Sequence, residues 1–170
     1  MHLLRDSLPP ARGGAALKSA AVCLGSRYRG DDAVGPLVAE RLRDAGVTLL
    51  DCADEPTRLL GEWGVLDTLV VVDAVVTGAP AGTLHRIDAG NGALPRDLRL
   101  ASTHAVSVAD ALELGRAIGR APRRVVVLGV EGATFGMGDE MTPAVVEALD
   151  GVVTAALDEL GMEEPCTSAR

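Results

Sequence analysis

Aromatic side chains are nearly absent: Tyr28, Trp63 and Phe135 are the only three in 170 residues. The core must therefore be assembled from Val, Leu and Ala. Lysine is scarcer still, with Lys18 alone, so arginine carries almost all the positive charge. Positive charge as a whole is short, 16 Lys and Arg against 24 Asp and Glu, for a net charge of -8. Nucleic acid is a poor partner for such a chain, because phosphate binding requires a basic face. The three cysteines are odd in number and lack the short spacings of a zinc site or redox pair. Cys23 falls in the first apolar run and Cys52 ends the second, so both read as small buried hydrophobes in a reduced compartment. No apolar run reaches membrane-spanning length, because Asp73 and Gly78 interrupt the longest one. Residues 1–16 contain Pro9-Pro10 and Gly13-Gly14 but no signal-peptide core. They read as a loose N-terminal extension, and a cytoplasmic location is expected.

What is present is a globular composition, 48% hydrophobic and 24% charged, in a length that suits one domain. Apolar runs alternate with helical patterns. Strands are expected over residues 19–25, 47–52, 68–75, 82–88 and 124–130. The run at 68–75 is apolar on both faces, as a central parallel strand should be; the run at 82–88 is more polar and suits an edge. A helix follows the first loop, with Val34, Leu37, Val38 and Leu42 on one stripe and Gly46 closing it. A short helix is expected over 56–63. Ser107, with Asp110 three residues on, predicts a helix over 108–119. Thr142-Pro143 is a strong start for a last helix burying Val145, Leu149, Val152, Val153, Ala156 and Leu160. Strands separated by helices imply βαβ units with right-handed crossovers. The expected fold is α/β: a single-domain, three-layer αβα sandwich over 17–161, its sheet mostly parallel with an antiparallel edge strand, then a polar tail at 162–170.

Three places stand out chemically. Asp31-Asp32 follows the first strand; one of the pair suffices to cap a helix, which leaves the other for a site. Asp73 ends the run Val70-Val71-Val72, where an ionised carboxylate is costly unless paired or metal-bound. His104 lies in a polar loop between Thr103 and Ala105; His2 and His85 are weaker candidates, one in the loose extension and one on the polar strand. The three places fall one per successive βα unit, so they meet at one edge of an open sheet, where ligands bind. Two carboxylates and an imidazole suit a divalent transition metal and leave coordination positions open.

At these residues the chain resembles the hydrogenase maturation proteases, endopeptidases that trim the C-terminal extension of a nickel–iron hydrogenase large subunit. The resemblance covers roughly residues 20–160. It rests on Leu24-Gly25-Ser26 with Gly30-Asp31-Asp32, on Val71-Val72-Asp73-Ala74, on Ser102-Thr103-His104, on Gly129-Val130-Glu131 and on Thr142-Pro143. Cys23 stands where the family has its first glycine and Ser26 where it has Asn. The resemblance implies metal ligands Asp32, Asp73 and His104, with Asp32 and Asp73 also catalytic. It implies nickel carried in by the precursor, so that cleavage waits for a loaded substrate. Substrate contacts are expected from Gly25, Ser26, Asp31 and Asp54, the last in the stretch Asp51-Cys52-Ala53-Asp54-Glu55-Pro56 that departs from the glycine-rich version of some members. The expected partner is the large-subunit precursor, with neither membrane nor nucleic acid and the enzyme a monomer.

Rival readings are weaker. A phospho-accepting receiver has a similar acidic pair and strand-end Asp, but needs a lysine after the last strand, and Lys18 precedes the first. A nucleotide-binding loop at 25–30 lacks both Gly-x-Gly-x-x-Gly and a P-loop lysine. A non-catalytic nickel or precursor chaperone shares the ligands and differs only in leaving the precursor uncut.

Overall fold

Valine-rich runs build this sheet because β-branched side chains suit a pleated surface buried on both faces. The computed structural model describes residues 18–50, 63, 66–89, 99–100 and 103–162. Its strands are β1 (Ser19–Cys23), β2 (Thr68–Val76), β3 (Leu84–Asp88), β4 (Arg99–Leu100) and β5 (Arg124–Glu131). Its helices are α1 (Val34–Asp44), α2 (Thr103–Ala117) and α3 (Pro143–Leu160), with a 3-10 turn, Gly30–Ala33, leading into α1.

The sheet order is β1-β2-β5-β3. β1 and β5 both pair with β2 in parallel, and β3 joins β5 antiparallel at the edge. β4 pairs antiparallel with Val75 and Val76, at the C-terminal end of β2. The five strands thus give the mixed, mostly parallel α/β sheet that the pattern of runs predicts. Successive β2 residues face opposite layers. Val70, Val72 and Ala74 pack with α1 and α3 through Val34, Val38, Leu42, Val145, Val152 and Ala156. Leu69 and Val71 pack on the other side with Trp63 and with Val108, Ala111 and Leu112 of α2. Each fully buried Val or Leu contributes about 1.5–3 kcal/mol, so the two layers hold the sheet between them.

Local signals explain the joints. Gly35 lets α1 start directly against β1, since a Cβ there would lie 1.8 Å from the Leu24 carbonyl oxygen. Gly161 ends α3 at φ 70, the left-handed cap that glycine adopts without strain. In α3, Leu157 is buried and Val153 only partly so.

Three expectations change. Around 47–52 the described chain forms only a parallel bridge, Leu49 to Ala21, held by Ala21 N–H to Thr48 O and Leu50 N–H to Ala21 O, each 2.9 Å. The helix expected over 108–119 instead starts at Thr103 and ends at Ala117, so Ser107 lies inside it rather than at its start. β4 falls where only loop is expected, since a two-residue strand has no periodicity to read. Of the short helix at 56–63, only Trp63 is described, and it is helical. Residues 1–16 lie outside the described residues, as does the tail beyond Met162.

Candidate functional site

The C-terminal edge of β2 gathers the acidic residues. Leu24 N–H bonds to the Val72 carbonyl at 2.8 Å, which carries the chain leaving β1 to the residue before Asp73. The 3-10 turn with Asp31 and Asp32 then packs against β2. Gly25, at φ 118, is required here: a Cβ would lie 2.0 Å from the Asp32 carbonyl oxygen and 3.2 Å from its carboxylate Oδ1. Ser26 contributes its backbone N–H to Asp32 Oδ2 at 3.0 Å. Gly25 and Ser26 therefore form the wall behind Asp32.

Asp32 is 1% exposed. Arg29 Nη1 faces its Oδ2 at 3.6 Å, while its Oδ1 is buried without a hydrogen-bond partner among the described residues. Asp73 is fully buried and its Oδ1 accepts the Ala74 N–H at 2.9 Å.

Asp31 turns inward. Its Oδ2 accepts from Ala133 N–H at 2.7 Å and Thr134 N–H at 3.0 Å, and its Oδ1 from Thr142 N–H at 2.7 Å and the Thr142 hydroxyl at 3.1 Å. Burial alone raises its pKa, but the bonds from Ala133, Thr134 and Thr142 outweigh that and hold the carboxyl below its ordinary 3.8. Asp31 is thus a tether between the first loop and the 132–142 loop, with its acceptor positions taken by its own chain. Thr142 stands at the N-cap of α3, yet its side chain makes no cap bond to that helix; its hydroxyl serves Asp31 instead.

His104 is the second residue of α2, in helix rather than in the expected polar loop. β4 pairs with the C-terminal end of β2, and α2, with His104 its second residue, begins three residues after β4. The His104 side chain lies outside the described residues, as do Asp54 and the whole 51–56 stretch. Among the described residues, no three His, Cys, Asp or Glu side chains gather as a metal site.

One polar cluster escapes sequence reading. Glu131, at the end of β5 and 2% exposed, accepts from Thr77 N–H and Gly78 N–H, each 2.8 Å, and from the Thr77 hydroxyl at 2.8 Å. Its Oε2 also meets His85 Nε2 at 3.1 Å. Burial raises the Glu131 pKa, and these bonds more than reverse it, leaving it below 4.5. The only local signal was the polar Gly129-Val130-Glu131 end of an otherwise apolar strand. A cleft of about 260 Å³ lies beside α1, lined by Cys23, Ala39, Arg43, Leu49 and Leu50. Cys23 is only half-buried, and no carboxylate lines that cleft among the described residues.

The fold has close counterparts. The hydrogenase maturating endopeptidase HybD from E. coli superposes with a TM-score of 0.73 at 23% identity, over 90% of this chain and 100% of that one. The HybD hydrogenase maturation protease of Thermococcus kodakarensis gives 0.71 at 20%, over 85% and 99%. In sequence, the hydrogenase expression/formation protein HupD of Thiocapsa roseopersicina is 27% identical over 145 residues, 81% of this chain. The chain spans 65% of that protein's length. The hydrogenase maturation protease profile matches residues 33–159, from the residue after Asp32 to the last turn of α3. With that profile running through β2, β5 and the helices packed on them, the chain belongs to the hydrogenase maturation protease family.

Proposed function

We propose that this protein is a nickel-dependent endopeptidase that removes the C-terminal extension of a nickel–iron hydrogenase large-subunit precursor after nickel insertion. The observation that carries the reading is Asp32: a buried carboxylate with one oxygen left without a partner among the described residues, at the same strand edge as Asp73. Burying an ionised carboxylate that way is costly unless a cation completes it. Carboxylate oxygens with an imidazole nitrogen are a donor set suited to nickel, so the residues fit the metal.

In this reading Asp32, Asp73 and His104 hold the nickel that the precursor carries. Bound nickel supplies Lewis acidity that polarises a carbonyl or lowers the pKa of water. The low exposure of Asp32 and Asp73 keeps bulk water from both carboxylates, which strengthens their hold on a cation. One of the two carboxylates would take the proton of the attacking water as the carbon–oxygen bond forms, and would pass it to the peptide nitrogen as the carbon–nitrogen bond breaks, so that the extension leaves as a free amine and the carboxylate is regenerated. Asp31 keeps the loop bearing Asp32 fixed against 132–142, so the carboxylate is in place before substrate arrives.

The experiment is to incubate purified protein with nickel-loaded and nickel-free precursor and follow precursor mass. Trimming of the loaded form alone supports the reading, and Asp73→Asn and His104→Ala should each abolish it. A precursor that binds but keeps its full mass would make the protein a chaperone instead.

A further inference from the structure

Arg29 is held differently from its neighbour Arg27. Arg27 bonds to the Glu40 carboxylate and, at 3.3 Å, to the Pro36 carbonyl. The Arg29 guanidinium makes one polar approach among the described residues, to Asp32 Oδ2 at 3.6 Å, too long for a hydrogen bond. It is also asymmetric: the Arg29 side chain is 34% exposed and that of Asp32 2%.

We propose that Arg29 is the resting counter-cation of Asp32 and competes with the incoming metal for it. This rests on the reading of Asp32 as a metal ligand. A buried carboxylate with one backbone N–H on Oδ2 and no partner on Oδ1 among the described residues is costly to keep charged, and a cation alongside offsets that cost. The Arg29 guanidinium is the cation that faces this carboxylate among the described residues. Being partly in solvent and loosely seated, it leaves at low cost, whereas Asp32, walled by Gly25 and Ser26, cannot follow. A stray, weakly held cation then meets a site already neutralised. A divalent metal fixed by several ligands at once displaces the guanidinium. The device makes resting occupancy low and favours metal delivered with its own ligands.

The test uses the full chain with nickel ion alone as the probe, without precursor. Arg29→Ala and Arg29→Gln, the latter keeping most of the stem, are titrated with nickel by calorimetry and unfolded by urea in chelator. Both variants should bind nickel on the order of tenfold more tightly than the unaltered protein, and Asp32→Asn should cancel that gain. In chelator both should unfold at lower urea, and combining either with Asp32→Asn should restore the midpoint. Equal nickel affinity with and without Arg29, undetectable binding by all forms included, overturns the proposal; so does a urea midpoint indifferent to Arg29. Precursor trimming by the unaltered protein is scored separately. Its failure would remove the protease reading, while the nickel and urea results still decide Arg29.

Discussion

Glu131 Oε2 and His85 Nε2 stand 3.1 Å apart across 46 residues of chain, and the carboxylate fixes which ring nitrogen carries hydrogen. An ionised carboxylate only accepts, so Nε2 is the donor in this pair. Glu131 also ties the turn after β2 to the end of β5 through Thr77 and Gly78. Glu131→Ala removes the shared acceptor of these part-buried bonds, although Thr77 and Gly78 themselves reach water, and should cost about 2 kcal/mol, whereas His85→Ala should cost about 1 kcal/mol. Urea unfolding monitored by circular dichroism measures both.

Asp31 is the longer-range tether. Replacing it with Ala orphans the Ala133, Thr134 and Thr142 N–H groups and should destabilise by about 3–5 kcal/mol. Asp31→Asn keeps the shape but turns an amide donor toward other donors, so it should recover only part of that loss. If both variants matched the unaltered urea midpoint, the tether would carry no weight.

Acid should unfold the protein through Glu131 and Glu159. Glu159 is held down first by its hydrogen bond from Arg86 and further by Arg124, against burial. Both glutamates have folded pKa values below their ordinary 4.5. Their stabilisation is therefore complete above about pH 4.5 and is lost as pH falls through the lower folded values. Urea midpoints should be level between pH 7 and pH 5.5 and drop below about pH 4.5. In Glu159→Gln that acid-side drop should be shallower.

Gly25→Ala tests the wall behind Asp32. The φ of 118 disfavours any side chain, and the new methyl would overlap the Asp32 carbonyl oxygen. The variant should lose about 2 kcal/mol or more of stability and bind nickel more weakly than the parent. A variant with unchanged nickel titration would show that Asp32 does not depend on this wall.

The sheet and α1 were legible because their signals are local: valine runs for β2 and β5, a Val34–Val38–Leu42 stripe for α1, glycine after α1 and α3. The edge position of Asp32 and Asp73 followed from strand-end logic. What stayed hidden was contact across long stretches of chain. Nothing near Thr142 reveals that its hydroxyl serves Asp31, 111 residues away, rather than its own helix. His85 looked like a solvated residue on a polar strand until β3 was seen to pair with β5, which brings it beside Glu131. The first turn of α2 is hard to read because Thr103-His104-Ala105-Val106-Ser107 has little apolar periodicity, which leaves the weak capping box at Ser107 and Asp110 as the only start signal.

The burial of Trp63 has an optical consequence. It is the chain's sole indole, fully enclosed in the layer that α2 lays over Leu69 and Val71. Intrinsic fluorescence excited near the red edge of protein absorption is therefore a one-chromophore signal from the side of the molecule that carries α2. Its emission colour will report any loosening there, without a label and apart from events on the α1 side.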